Sequence, residues 1–138
     1  MAKILLVEPD KILAQIYITA FERSGHHVVH TSDAQTAITY ADKNLPDCVV
    51  LEIQLSNHNG IEFLYEFRSY NDWQQVPVII HSLIHPREFA DNDALWKLIK
   101  ISDYIYKPQS TLKSLISSID VCLRNSELKA VDKKQEIV

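Results

Sequence analysis

Short apolar runs return along the chain, and an amphipathic stretch follows each of them. The runs are "AKILLV" (2–7), "HHVVH" (26–30), "DCVVLEI" (47–53), "VPVIIH" (76–81) and "DYIYK" (103–107). A strand covered on one face alternates apolar and polar residues, whereas segments such as "ILLV" and "CVVL" do not alternate. Strands of that kind are buried on both faces, which is the condition of a parallel sheet with helices on either side. The intervening stretches carry the 3.6-residue period that such helices need. In 10–25, Ile12, Leu13, Ile16, Tyr17, Ala20 and Phe21 recur at helical spacing, with Asp10 placed to cap the helix and Gly25 to stop it. In 32–44, Ser32 and Gln35 have capping-box spacing, and Ala34, Ala37, Ile38 and Ala41 share a face. Further helices are expected over 60–70, 86–101 (broken or delayed near Asp91) and 109–129, the last with Leu112, Leu115, Ile116, Ile119, Cys122 and Leu123 on its inner face. Right-handed crossovers then place the helices on both sides of the sheet. No linker or second domain interrupts the pattern, and the polar residues after Lys129 read as a frayed tail.

Composition narrows the function. The chain has 138 residues, 46% of them hydrophobic, which suffices for one substantial core. A net charge of −4 without a basic run argues against nucleic acid as a partner. The two cysteines, Cys48 and Cys122, form no CxxC and fall in apolar segments, so they read as reduced core residues. No stretch has the length of a membrane span and the first residues do not make a signal peptide, so a soluble cytoplasmic protein is expected.

In an open parallel sheet, function gathers at the carboxyl ends of the strands. Glu8, Pro9 and Asp10 follow the first strand, Glu52 ends the third, His81 and Ser82 end the fourth, and Lys107 with Pro108 ends the fifth. Polar residues at any one strand end are unremarkable because strand ends meet solvent. Acids, a hydroxyl and a lysine at several adjacent ends are a candidate site.

These residues carry a resemblance. The chain resembles the receiver domain of two-component response regulators over residues 2–125, with 126–138 as a C-terminal extension. The acidic stretch in "KILLVEPD", the Asn59-Gly60 seven residues after Glu52, Ser82 in "PVIIHS" and Lys107-Pro108 in "DYIYKP" stand in the family's order. The resemblance implies a flavodoxin-like, doubly wound, five-stranded parallel sheet of order 2-1-3-4-5 with five helices. It implies a site in which an aspartate accepts a phosphoryl group from a kinase phosphohistidine. A Mg²⁺ held by acids screens the incoming charge, and the lysine and hydroxyl bind phosphoryl oxygens. Tyr104 takes the position of the aromatic that swings when the loop after the fourth strand closes.

Two departures fall at the centre. Glu52 stands where the family has its acceptor aspartate, and its extra methylene moves the carboxylate out by roughly 1.5 Å. In-line transfer is sensitive to a misplacement of ~1 Å on the order of 100-fold. Pro9 replaces the second acid of the family's pair and offers no side-chain oxygen, whereas Mg²⁺ demands near-octahedral oxygen ligands. Glu8 remains, and Asp10 is one residue further on. The expectation is a degenerate receiver that is not phosphorylated, is not an enzyme, has no cofactor and binds Mg²⁺ weakly or not at all. Glu52 either reaches Ser82 and Lys107 and imitates a phosphorylated aspartate, or pairs with Lys107 in a static binding module. The rival reading is a phosphoacceptor regulator with an unusual glutamate. A flavin-nucleotide protein of similar strand order is disfavoured, because the acidic "VEPDK" after the first strand would repel phosphate. Ser56 in place of a proline, the absence of Gly-Ala before the fifth strand, and a longer Ser82–Lys107 stretch are smaller departures.

The fourth helical stretch puts Ala94, Leu95, Leu98, Ile99 and Ile101 in one arc and Trp96 outside it, toward Lys97 and Lys100. Trp96 and Tyr104 are therefore expected on a protein-binding face formed by the fourth helix, fifth strand and fifth helix. Its partner would be a histidine kinase, an output protein or a second copy of the chain. His26, His27 and His30 lack the ligand spacing of a metal site, and "NHNG" (57–60) is turn chemistry. His58 and His81 lack the helical context of a phosphorelay histidine.

Overall fold

The computed structural model describes residues 2–55, 60–89, 97 and 99–136. Five parallel strands form one sheet in the order β2-β1-β3-β4-β5. They are β1 (Lys3–Val7), β2 (His27–Thr31), β3 (Cys48–Leu51), β4 (Val78–Ser82) and β5 (Asp103–Tyr106). Among the described residues there are four α-helices: α1 (Lys11–Arg23), α2 (Ala34–Lys43), α3 (Gly60–Ser69) and α4 (Leu112–Glu136). The expected helix over 86–101 lies mostly outside the described residues. Pro86–Phe89 is a 3₁₀ turn, and Lys97 and Ile99 are helical.

Strand parity divides the core. Leu5, Val7, Val49, Leu51, Val78 and Ile80 pack against Ala37 and Ala41 of α2 and Phe63, Leu64 and Phe67 of α3. Ile4, Leu6, Cys48, Val50 and Ile79 pack against Ala14, Tyr17 and Phe21 of α1 and Leu115, Ile119 and Cys122 of α4. Both strand faces are thus covered, as the unbroken apolar runs require. Cys48 and Cys122 are buried free thiols.

Several local expectations change. Ala14, Tyr17 and Phe21 are the buried face of α1, while Ile12 is 77% exposed and Ile16 45%. At 100° per residue Ile12 and Ile16 lie on the opposite side of the helix, so their helical spacing marks a second apolar stripe and not the core face. Asp10 caps α1 through Ile12 N (2.9 Å) and Leu13 N (3.1 Å). Asp33, not Ser32, caps α2, accepting from Thr36 N at 2.8 Å. In α4, Leu112 is exposed and the helix continues to Glu136, through most of the stretch expected to fray.

The two glycines each answer a backbone demand. Gly25 leaves α1 with φ +92°, a conformation costly for other residues. Gly60 opens α3 so close to Ile53 that an added Cβ would lie 2.5 Å from the Ile53 Cα.

Arg68, at the end of α3, is buried and spends its fork on backbone carbonyls. Nε donates to Ile99 O (2.9 Å), Nη1 to Trp73 O (2.7 Å) and Nη2 to Lys100 O (3.0 Å). Lys100 itself has φ +48°, the left-handed turn that ends a helical segment. Arg68 thus ties the chain just before β5 to the end of α3. Arg68→Met should lower the unfolding free energy by about 3 kcal/mol in urea titration, since these carbonyls lose charged donors. Arg68→Lys should recover only part, because an ammonium cannot reproduce the planar fork.

Candidate functional site

Register builds the site. Val7 pairs with Leu51, so the next residues, Glu8 and Glu52, emerge side by side. The ladder continues past the strands, with Glu52 N donating to Val7 O (2.9 Å) and Glu8 N to Thr31 O (3.0 Å). Leu51 pairs with Ile80, and Ser82 with Tyr106, which brings Ser82 and Lys107 to the same end. The structure therefore brings Glu8, Glu52, Ser82 and Lys107 together, from positions up to 99 residues apart.

Glu8 is 2% exposed and Glu52 3%. Lys107 Nζ lies between them, donating to Glu8 Oε1 at 2.6 Å and to Glu52 Oε1 at 2.9 Å. The remaining oxygens are also engaged. Glu8 Oε2 accepts from Asp10 N (3.1 Å). Glu52 Oε1 accepts from Leu83 N (3.0 Å), and Glu52 Oε2 accepts from Gln54 N (3.1 Å) and from the Ser82 hydroxyl. Burial alone pushes the Glu52 carboxyl upward, but the bonds from Ser82, Gln54 N, Lys107 and Leu83 N outweigh it, and its pKa falls below 4.5. Burial likewise pulls Lys107 down, and its bonds to Glu8 and Glu52 carry it above 10.5. Glu52 and Lys107 are therefore both ionised at neutral pH, an ion pair withdrawn from solvent.

The acids do not fit a magnesium ion in this arrangement. Each oxygen of Glu8 and Glu52 already accepts a hydrogen bond from nitrogen or a hydroxyl. Pro9 brings no side-chain oxygen, and Asp10 is exposed and turned to the first turn of α1. Among the described residues no three His, Cys, Asp or Glu side chains form a metal-binding group.

Ser82 does more than meet Glu52. Its Oγ accepts from Ile84 N at 3.0 Å, so the loop after β4 is held to the pocket at both Leu83 and Ile84. Tyr104 is half-buried against the core on that side of the sheet, and its hydroxyl donates to Ile84 O. Burial raises the pKa of that phenol to about 12. Trp96, with Ser56, His58 and Asn59, lies outside the described residues.

Sequence reasoning missed the backbone donors Asp10 N, Gln54 N and Leu83 N. Every residue has an amide, so composition and spacing carry no trace of which ones converge. It also undervalued His81. This residue is 3% exposed, sits edge-on to Tyr17 with ring centroids 5.1 Å apart, and shares a 3.1 Å hydrogen bond with Ser110 Oγ. The one available signal was its parity, opposite to Ser82 on β4. Of the other histidines, His26 meets Asp120 at 3.3 Å and His30 Nε2 lies 2.8 Å from the Glu8 carbonyl oxygen. The acid near His26 comes from α4, far along the chain.

Burial, aided by the nearby Lys107 charge, pulls the His81 pKa from 6.5 to about 4. His81 is thus neutral in the fold, and the stability that it contributes is complete above pH 6.5 and is lost as pH falls through about 4. Glu52, with a depressed pKa, adds a loss that begins only below 4.5. Urea midpoints of the wild type should therefore decline between pH 6.5 and about 4, and His81→Phe should flatten that slope. An unchanged slope would assign the decline to other groups.

Comparison with known proteins agrees with the fold. The family model for the response regulator receiver domain matches residues 4–120. The chain is 25% identical over 135 residues to the probable transcriptional regulatory protein TcrX of Mycobacterium tuberculosis, covering 98% of this chain and 55% of that protein. It is 32% identical over 109 residues to the KDP operon transcriptional regulatory protein KdpE of Escherichia coli, covering 78% and 45%. The chain thus spans about half the length of the curated relatives that it matches. In structure it is similar to a CheY-like receiver domain protein from Methanospirillum hungatei, with a TM-score of 0.83 at 19% identity over 94% of this chain and 98% of the other. Strand order, the polar cluster at the carboxyl edge and the family match together place this chain among the response regulator receiver domains of two-component signalling.

Proposed function

We propose that this chain is a degenerate receiver, a non-enzymatic signalling module that works in the cytoplasm through protein–protein contact and without phosphorylation. The observation that carries the reading is the set of donors on Glu52. In the family, the hydroxyl after the fourth strand and the lysine after the fifth bind phosphoryl oxygens. Here the Glu52 carboxylate itself accepts from Ser82, Leu83 N and Lys107 Nζ. Its extra methylene carries the charge toward the position of a phosphoryl group. The loop after β4 is drawn in, and Tyr104 is tied to Ile84 O. These are the contacts expected of a receiver held in its switched state by its own side chain. The alternative in which Glu52 only braces the pocket shares the same lack of phosphate acceptance.

A partner, either a histidine kinase or an output protein, would meet the face around β5 and α4 together with the segment before β5. A second copy of the chain is a further candidate for that face. The rival function is a phosphoacceptor of the kind implied by relatives described as transcriptional regulators.

Incubation with acetyl phosphate and Mg²⁺, followed by intact-mass measurement, should show no phosphoryl adduct on the wild type. Glu52→Asp combined with Pro9→Asp should gain one. A stoichiometric adduct on Glu52 would establish the rival function. A separate readout tests the switch. Glu52→Ala should raise amide exchange at Leu83 and Ile84 by at least about 10-fold, because Glu52 and Ser82 Oγ no longer form one hydrogen-bonded unit there.

A further inference from the structure

We infer that the Lys107 ammonium is the resident cation of this pocket, so that the domain neither requires nor takes up a divalent metal at its acidic edge. Two carboxylates that leave adjacent strands and are almost wholly buried need a positive charge between them. Lys107 meets that need at 2.6 and 2.9 Å, with a side chain that is itself 93% withdrawn from solvent (7% exposed). Glu52 has its other acceptor positions taken by Gln54 N, Leu83 N and Ser82 Oγ, and the second oxygen of Glu8 is held by Asp10 N. A hydrated divalent ion would have to evict the ammonium and break backbone hydrogen bonds, and Pro9 gives it no ligand in exchange.

The inference concerns the same site as the proposed function but rests only on charge and geometry. It has a consequence that absence of metal alone would not have. Removing the lysine charge leaves Glu8 and Glu52 facing each other with nothing between them, and that variant acquires the affinity for a divalent cation that the wild type lacks.

The test uses the full chain, with MgCl₂ alone as the probe and NaCl of matched ionic strength as the control. The wild type should give no binding heat in calorimetry and no change in thermal midpoint. Lys107→Met should unfold at lower temperature and regain about 3 °C or more with Mg²⁺ but not with NaCl. If that variant is unfolded without metal, its far-ultraviolet circular dichroism should recover when Mg²⁺ is added. The double variant Glu52→Gln/Lys107→Met, left with one carboxylate charge, should show no Mg²⁺ response. Binding by the wild type, or a Lys107→Met variant indifferent to Mg²⁺, would overturn the inference. So would an equal response in the double variant. No phosphoryl donor is present, so the two readings fail separately. Wild type that bound Mg²⁺ yet accepted no phosphoryl group would remove this inference and leave the proposed function standing.

Discussion

Lys107 holds together two carboxylates that would otherwise drive the sheet edge apart. Like charges at neighbouring strand ends, ~5 Å apart, repel by about 3 kcal/mol at an effective dielectric constant of 20. The ammonium lies within 3 Å of both, so the local sum becomes attractive. Much else depends on that one nitrogen. It fixes the exit of β5 against the exits of β1 and β3, and it leaves Glu52 free to hold the start of the loop after β4. An ion cluster this deeply buried stabilises only when each member is satisfied. Here the backbone completes it.

The end of β4 divides its duties between the two layers. Ser82 turns to Glu52 and to the loop that leads to Tyr104. His81, the residue before it, turns to Tyr17 of α1 and to Ser110 ahead of α4. One short segment of backbone thus links the carboxylate pocket to the packing of α1 and to the start of α4. Protonating His81 or rotating Ser82 disturbs the same strand end from opposite faces of the sheet.

What the sequence made legible follows from how far each interaction reaches. Apolar runs such as Cys48–Leu51 declare burial on both faces, because the pattern is local and needs no partner. Glu8, Glu52, Ser82 and Lys107 were legible as a group because strand ends in a parallel sheet line up whatever the loops do. The face of α1 was less clear. Ile12 and Ile16 are as apolar as Tyr17 and Phe21, and only the docking angle of the helix decides which stripe is covered. The cap of α2 shifted from Ser32 to Asp33 because both residues are good caps and only geometry ranks them. Convergent amides and the carbonyl clamp of Arg68 left no trace in residue types, since they recruit backbone that every residue shares.

The length of α4 matters for mechanics. Twenty-five residues of helix extend about 37 Å, roughly twice the height of a five-residue strand. Its near end is seated beside the pocket, where Thr111 caps it through Ser114 N and Ser110 meets His81. A rod pivoted at one end magnifies small movements. A tilt of about 5° at the seat would sweep the far tip through about 3 Å, for a rod of this length. A rearrangement at Ser110 too small to alter the sheet would therefore arrive at Glu136 as a displacement comparable to a side-chain contact.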